Sequence, residues 1–284
     1  MFDTANSGVT FGVVPTDYGY YSGELKNGEP LAGCADHFIK QDNSWFYGIV
    51  EKTKREGEGI NYAYNNESEL SKITIGYWKK GKLFGHAEQD DYALHQHFVG
   101  NYSDDHRCGK GILTDTVSGK SYEGNWKNRY TGDCLYGMVV ERNLRGEMVY
   151  NGEYKNSNRH GFGIEQCENG CVYKGYWRKG LRHGKGEMQI PESDEIYKQT
   201  WRRGSIKKGK AVEWNQNGEI VFNGNYKNNN RDGFGTEQCE NGCVYRGYWK
   251  NGQKHGEGVL YVPNSNESYK ETWKKGKIIK CQKL

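Results

Sequence analysis

Residues 173–186 read YKGYWRKGLRHGKG, and this stretch holds two short patterns that decide the fold. The first is an aromatic residue, any residue, Gly, any residue and a second aromatic, here centred on Gly175. The second is the Gly-x-Gly at the end of the stretch. Side chains alternate between the two faces of a strand, so Tyr173 and Trp177 share one face with the central Gly. The stretch therefore predicts two short β-strands with one aromatic face.

The first pattern recurs at a nearly constant spacing along the chain. Its centres fall at residues 23, 48, 76, 100, 124, 152, 175, 199, 224, 247 and 271, with Gln199 and Glu271 in place of Gly. In the clearest copies a Gly-x-Gly follows nine residues after the centre, and turn-forming sequences such as Asn169-Gly170 separate the units. Regular self-similarity of this kind is typical of repeat architectures. The sequence therefore predicts eleven hairpin units of two strands each.

The quality of these copies divides the chain into four segments. Residues 98–276 hold the regular units, and residues 20–97 hold degenerate ones. Residues 1–19 are expected to cap the first hairpin, and residues 277–284 form a basic C-terminal tail. A longer period of 72 residues, evident after residue 152, indicates that three units were duplicated together.

The composition excludes several classes of protein. The chain has 22 Tyr, 8 Trp, 9 Phe and 40 Gly, so it is too aromatic for a disordered chain and suits a thin β-sheet core. A net charge of +4 is too small to indicate nucleic-acid binding. There is no apolar run long enough for a transmembrane helix and no signal-peptide pattern at Met1. We therefore expect a soluble cytoplasmic protein, recruited to a membrane surface or to the cytoskeleton.

The pattern from Tyr173 to Gly186 resembles a MORN repeat, and the pattern from Tyr245 to Gly258 resembles it equally well. The resemblance implies an all-β fold, an elongated single-layer antiparallel sheet of stacked hairpins in a MORN-like solenoid. It also implies a role in protein contacts, dimerisation and, in some members, phospholipid binding. We therefore expect a non-enzymatic scaffold that binds a partner segment or self-associates, and the alternative is a peripheral membrane module.

The aromatic face predicts a groove for a partner segment, called here the aromatic groove. One interpretation is that glutamates of the second strands share this face, which would suit a segment carrying Lys or Arg. The other is that a bulge at the Gly-rich element changes the register, so that Ile112, Ile164, Val212 and Val259 face the core and the glutamates are solvated. The predicted groove residues are Tyr122, Trp126, Tyr150, Tyr154, Glu165, Tyr173, Trp177, Tyr197, Trp201, Glu213, Tyr226, Glu237, Tyr245 and Trp249.

The loop inside the hairpin is basic in many units, and stacking the hairpins would align these loops along one edge. Such an edge could bind acidic proteins or anionic lipid, or it could simply keep the sheet soluble. The opposite turns carry acidic residues such as Glu168, Glu195, Glu240 and Glu267. The predicted edge residues are Lys79, Lys80, Arg178, Lys179, Arg182, Arg202, Arg203, Lys250, Lys254, Lys274 and Lys275.

Four of the cysteines lie in two pairs around turns, and the chain lacks common catalytic motifs. Cys167 and Cys171 flank a turn, as do Cys239 and Cys243, so each pair could bridge, share a metal or pack as small side chains. Packing of free thiols is the preferred interpretation, and we expect no metal and no cofactor. The chain has no phosphate-binding Gly-Lys-Ser/Thr loop, no Gly-x-Ser-x-Gly elbow and no His-Glu-x-x-His helix, which argues against an enzyme.

Overall fold

The structure is a computed structural model that describes residues 9–16, 19–30, 33–39, 43–51, 54–129, 132–191 and 195–284. These residues form antiparallel strands and turns, with no helix among them. They divide into two compact units. The first unit holds the described residues up to Val149 together with Tyr154–Ser157, and the second holds Tyr150–Glu153 and the residues from Asn158 onward. The prediction of an all-β fold of antiparallel hairpins is confirmed.

The strands of the first unit pair antiparallel with the strands before and after them. Strand β2 pairs with β1 and β4, and the short strand β3 adds a third pairing to it. The strands are β1 (Val9–Thr16), β2 (Gly19–Lys26), β3 (Glu29–Pro30), β4 (Gly33–Ile39), β5 (Ser44–Glu51), β6 (Lys54–Tyr64), β7 (Leu70–Lys79), β8 (Lys82–Asp91), β9 (Gln96–Ser103), β10 (His106–Asp115), β11 (Ser121–Arg129) and β12 (Gly132–Arg142).

The second unit follows the same up-and-down order. Strand β13 (Met148–Lys155) contributes residues to both units. From β14 onward each strand pairs antiparallel with the next. The strands are β14 (Asn158–Gln166), β15 (Val172–Arg178), β16 (Leu181–Gln189), β17 (Ile196–Arg202), β18 (Ser205–Trp214), β19 (Ile220–Lys227), β20 (Asn230–Gln238), β21 (Val244–Lys250), β22 (Gln253–Val262), β23 (Glu267–Lys274) and β24 (Lys277–Lys283).

The eleven pattern centres each lie in a separate strand, from Gly23 in β2 to Glu271 in β23. The ends of the chain are also strands where they are described. Within the segment expected to cap the first hairpin, β1 pairs with β2, and residues 1–8 lie outside the described residues. The segment expected to be a tail forms β24, which pairs with β23.

Tight turns with positive φ close the hairpins. Lys179 and Gly180 have φ of 52° and 77°, and Arg203 and Gly204 have φ of 50° and 79°. Two consecutive residues with positive φ give the type I′ turn whose twist matches that of paired strands. Gly takes the second position of these turns at little steric cost, and Lys, Arg or Asn holds the first position.

The central glycines are needed because an aromatic ring lies over them. A Cβ on Gly175 would lie 2.7 Å from the Cα of Gly186 on the next strand and would also overlap the Tyr173 ring. Tyr173 is fully buried, and its ring contacts Trp177 and Trp201 edge-on at centroid distances of 5.6 and 5.8 Å. Such ring pairs add about 0.5–1.5 kcal/mol each to the burial of their surface. The core is therefore a row of aromatic rings that pack against the central glycines.

A bulge of two residues leaves the faces unchanged in hairpins such as β15–β16 and β21–β22, whereas the β17–β18 and β23–β24 bulges insert one residue. In the β15–β16 pair, Gly175 is opposite Gly186 and Trp177 is opposite Arg182. An advance of two residues along β15 therefore corresponds to four residues along β16. An insertion of two residues restores the alternation of side chains, whereas an insertion of one would invert it. The Gly-x-Gly element therefore bends the strand without moving its side chains to the other face.

Candidate functional site

The unchanged register decides between the two interpretations of the aromatic face. Glu165 lies directly opposite Tyr173, and Glu237 lies directly opposite Tyr245. The glutamates therefore share the aromatic face, as the first interpretation required. Ile112 and Val259 lie on the other face, where 43% and 37% of their surface is exposed. The interpretation that placed these aliphatic residues in the core is wrong, because the bulge preserves parity.

Cations of the chain itself cover the rings on this face. The Arg159 guanidinium lies 4.3 Å from the Tyr150 ring centroid and 4.9 Å from that of Trp177. Its Nη1 is 2.5 Å from Glu165 Oε1. Arg182 approaches the same carboxylate from the next hairpin, with Nη2 2.6 Å from Oε2. Glu165 is thus held between two guanidinium groups.

The same arrangement recurs 72 residues later. Arg231 lies 4.1 Å from the Phe222 ring centroid and pairs with both Glu213 and Glu237, at 2.5 and 2.6 Å. Lys254 lies 4.2 Å from the Tyr245 ring centroid, and its Nζ is 3.0 Å from Glu237. Each cation is attracted by the ring beneath it and by the carboxylate beside it. We call the cations and glutamates of this face the ion-pair layer.

The cations occupy one position in the repeat, two residues before the Gly-x-Gly element. Arg55 and Arg107 hold it in the first unit, where Arg107 lies 4.5 Å from the Phe98 ring centroid. Leu83 and Leu135 hold the equivalent position before Gly85 and Gly137, and both are buried. Sequence reasoning missed this role, although the recurring (Arg/Lys)-x-Gly-x-Gly was visible in six units.

Burial and the ion pairs shift the titration of several groups. Burial raises the pKa of Tyr173 to about 12 and that of Tyr245 to about 12. Hydrogen bonds donated by Arg231 lower the pKa of Glu213, and they outweigh the opposing effect of burial. The Tyr226 hydroxyl donates to the same carboxylate. Glu213 is therefore ionised at pH 7, and the buried Tyr173 and Tyr245 phenols are neutral.

The rings predicted for the aromatic groove lie in the interior of the sheet. They are at most 9% exposed, except Tyr122, which is half-buried. The buried members are Trp126, Tyr150, Tyr154, Tyr173, Trp177, Tyr197, Trp201, Tyr226, Tyr245 and Trp249. A partner approaching this face of the second unit would meet the ion-pair layer before it met a ring.

The basic residues predicted for the hairpin loops occupy two different places. Arg182 and Lys254 belong to the ion-pair layer on the aromatic face, with side chains only 20% and 18% exposed. The remaining residues are exposed in or beside the turns, and we call them the turn edge. They are Lys79, Lys80, Arg178, Lys179, Arg202, Arg203, Lys250, Lys274 and Lys275.

The face opposite the rings, called here the outer face, carries exposed aromatics that the sequence analysis did not single out. In the second unit Phe162 lies opposite Tyr176, and Phe234 lies opposite Tyr248. These ring pairs meet edge-on at centroid distances of 5.8 and 5.6 Å. Tyr176 and Tyr248 are 53% and 54% exposed, so they present apolar surface to solvent.

The cysteines offer no bridge or metal site where they are described. Cys167 and Cys171 are free thiols, as are Cys239 and Cys243. Burial raises the pKa of the Cys167 thiol, whose Sγ accepts a hydrogen bond from Arg182 at 3.2 Å. No group of three or more metal-ligating side chains occurs among the described residues. The described part of the chain also contains no helix long and apolar enough to cross a membrane.

Five hairpins match a family model directly. The model is that of the MORN repeat, and it matches residues 98–117, 150–172, 173–194, 222–244 and 245–267. The chain contains five MORN repeats. The five matched MORN repeats all fall within the region predicted to be regular, and the model does not match the earlier hairpins. The predicted family is confirmed, whereas the predicted count of eleven repeats is not.

Curated proteins are similar to this chain over part of their length. Human Alsin is 29% identical over 136 residues, which cover 45% of this chain and 8% of Alsin. MORN repeat-containing protein 3 of Xenopus laevis is 30% identical over 99 residues, covering 33% of this chain and 31% of that protein. Human ALS2 C-terminal-like protein is 29% identical over 118 residues, covering 40% and 10%. This chain thus spans less than a third of each of these relatives.

Proposed function

We propose that this chain is a non-catalytic interaction module, and that a partner protein docks on the outer face of its second unit. The observation that carries the proposal is the repeated pair of exposed rings, Phe162 with Tyr176 and Phe234 with Tyr248. Aromatic side chains supply much of the binding energy at protein interfaces, and Tyr is among the residues most enriched there. Clusters of exposed rings on a sheet face are therefore natural anchors for a partner.

The aromatic face suits this role less well than its rings suggested. Glu165 and Glu237, which were expected to attract a partner's Lys or Arg, already pair with Arg159, Arg182, Arg231 and Lys254. A partner cation would have to displace a chelated guanidinium that also lies on a ring. A groove-binding partner would instead rest on the ion-pair layer.

A paired set of variants tests the proposal. Tyr176→Ser with Tyr248→Ser removes outer-face rings of the second unit. Tyr47→Ser with Tyr77→Ser removes two rings of similar exposure, 45% and 46%, from the first unit. Quantitative co-purification of the full chain from its cells should lose its partners in the first variant and keep them in the second. Equal recovery with both variants, at matched melting temperatures, would contradict the proposal.

Self-association is a distinct form of the same function. Light scattering on the purified chain distinguishes self-association from binding of another protein. If the mass is that of a dimer, and the double variant Tyr176→Ser with Tyr248→Ser reduces it to that of a monomer, the partner is a second copy of the chain. An unchanged monomer mass would leave another protein as the partner.

A second candidate is binding of anionic phospholipid by the turn edge. It is favoured by the turn geometry, because Lys179, Arg203 and Lys275 occupy the outermost position of type I′ turns and are exposed. Basic side chains aligned at an edge attract anionic headgroups, with about 1 kcal/mol for each Lys or Arg near the surface. Reversing these three charges to Glu should abolish flotation with phosphatidylserine vesicles. Flotation that survives the reversal would rule this candidate out. The matched control is reversal of Lys174, Lys185 and Lys198, which lie away from the turns.

A further inference from the structure

A row of exposed side chains lies in register from β16 to β19 on the outer face of the second unit, between two exposed ring pairs. At one end lie Phe162 and Tyr176, and at the other lie Phe234 and Tyr248. Between them the register aligns Lys185 on β16 with Thr200 on β17, then Lys208 on β18 and Lys227 on β19. Strands lie about 4.8 Å apart, so the row with its two ring pairs is about 34 Å long. Its ends are apolar and its middle is cationic.

The middle of the row brings like charges together. Lys208 and Lys227 are direct cross-strand partners, and both are exposed. Like charges directly opposite each other in a sheet are destabilising. Two carboxylates lie near the row: Glu187 is opposite Lys174 and Lys198, and at one end the Glu153 carboxylate accepts a hydrogen bond from the backbone N–H of Phe162 at 3.0 Å. An anion lying over Lys208 and Lys227 would relieve their repulsion.

A cleft of about 560 Å³ opens beside the far end of this row. Its lining includes Lys227, Tyr248, Lys250 and His255, and also Asp232. The Asp232 carboxylate accepts a hydrogen bond from the backbone N–H of Asn251 at 3.3 Å, which holds it against the wall. The cleft thus continues the cationic character of the row past the second ring pair.

We infer that the outer-face row takes a segment of a partner protein with an acidic centre and apolar side chains at both ends. The inference rests on the proposed interaction function and names the chemistry of the partner. An extended segment rises about 3.3 Å per residue, so about ten residues would span the row. Acidic side chains would lie over Lys185, Lys208 and Lys227, and the flanking apolar side chains would pack on the two ring pairs.

The geometry favours a flexible acidic segment over other occupants. Adjacent strands rotate by about 20° relative to one another, so a row across eight strands winds around the sheet. A flat membrane would contact only part of such a row, whereas a flexible segment can follow it. If a second copy docked through the same face, Lys208 and Lys227 of one copy would lie against Lys208 and Lys227 of the other. The like charges would repel each other, so a second copy does not complement this face.

Selection from a random peptide display library on the purified full chain tests the inference. Recovered peptides are expected to carry Asp or Glu between two apolar positions. Their affinity, measured by calorimetry, should fall at least ten-fold for Lys185→Glu with Lys208→Glu. It should change less than two-fold for Lys79→Glu with Lys80→Glu, a matched reversal in the first unit. The double variant Lys185→Ala with Lys208→Ala removes the two positive charges without adding negative ones, and it should also lower the affinity for the peptides.

Each other outcome overturns the inference. It fails if no peptide is enriched, if enriched peptides lack acidic residues, or if they bind the Lys185→Glu and Lys208→Glu variant as well as the parent. It also fails if that variant loses binding only to phosphatidylserine vesicles, since the row would then serve a membrane. The interaction function would still stand if Tyr176→Ser with Tyr248→Ser removed the cellular partners while the selected peptides carried no acids.

Discussion

The guanidinium carbon of Arg231 lies 4.1 Å from the centroid of the Phe222 ring, and the same guanidinium bridges Glu213 and Glu237. The ring therefore faces a cation from its own chain. The corresponding relationship between Arg159 and Tyr150 recurs 72 residues earlier. Rings, cations and carboxylates on this face satisfy one another, which makes the aromatic face a structural layer and leaves the outer face exposed.

Removing one cation should show how much the ion-pair layer contributes to the free energy of unfolding. Arg231→Leu places at this position the residue that Leu83 and Leu135 supply elsewhere, so the side chain is sterically acceptable. It leaves Glu213 and Glu237 without their shared partner. Breaking a buried pair costs about 3–5 kcal/mol and an exposed pair about 0–1, so at this intermediate burial we expect a loss of about 2 kcal/mol.

Chemical denaturation of the full chain measures this loss. Arg202→Leu is the control, because Arg202 is exposed at the turn edge and its loss should change stability by less than about 0.5 kcal/mol. The triple change Arg231→Leu, Glu213→Gln and Glu237→Gln should recover part of the stability. Equal effects of Arg231→Leu and Arg202→Leu would contradict the account of the layer.

Alkaline pH should weaken the core through the buried phenols. Burial raises the pKa of Tyr245 to about 12, whereas an unfolded Tyr titrates near about 10. The folded pKa is the higher one, so this contribution is complete below about pH 10 and is lost as the pH rises toward 12. Tyr245→Phe should reduce the fall in stability across this window. The substitution is compatible with the fold, because Phe222 holds the same position in the preceding hairpin.

Absorbance near 295 nm gives an independent measure of the same effect, since it follows the ionisation of Tyr. The late-titrating signal should shrink in Tyr245→Phe. Tyr248→Phe is the control, because that side chain is exposed on the outer face. If the two variants lose the same part of the titration curve, Tyr245 is not buried as described.

Acid should weaken the layer through Glu213. Hydrogen bonds from Arg231 lower the pKa of this carboxyl below the usual Glu value of about 4.3. A depressed folded pKa means that the stabilisation is present above about pH 4.3 and is lost as the pH falls through the folded pKa. Glu213→Gln should be less stable than the parent at pH 7, and the difference should narrow in acid. Thermal melts at several pH values check this, and a constant difference would refute it.

The like-charge register on the outer face predicts opposite effects for two similar substitutions. Lys208 faces Lys227, so Lys208→Glu creates an attractive pair and should stabilise by about 0.5 kcal/mol. Lys198 faces Glu187, so Lys198→Glu creates a repulsive pair and should destabilise by a similar amount. Both changes replace a positive charge with a negative one, and they do so on neighbouring strands. Melting temperatures that shift in the same direction would show that the register is different.

Much of the fold could be predicted from the sequence, because the same strand and turn patterns recur in many units. Pattern centres such as Gly175 and Gly247 mark strands, and turn sequences such as Lys179-Gly180 mark their ends. The interior of the sheet was also visible, since Tyr173 and Trp177 alternate with polar neighbours. Local patterns decide these features, so a sequence is enough to find them.

The content of the faces was harder to predict because it depends on pairing between strands. Whether Glu165 lies beside Tyr173 depends on the bulge, and only the paired register shows that the bulge inserts two residues. Arg182 lies beside basic turn residues in the sequence but folds over a ring. Tyr176 looked like a spacer between patterned positions, yet cross-strand pairing with Phe162 makes it part of an exposed cluster.

Hydroxyl-radical footprinting of the purified full chain tests the assignment of the two faces most directly. Tyr173 and Tyr176 lie in the same strand, as do Tyr245 and Tyr248, so mass spectrometry compares each pair within one stretch of sequence. The account predicts rapid oxidation of Tyr176 and Tyr248, which are about half exposed, and protection of Tyr173 and Tyr245, which are fully buried. Equal oxidation within each pair, or faster oxidation of Tyr173 and Tyr245, would contradict it.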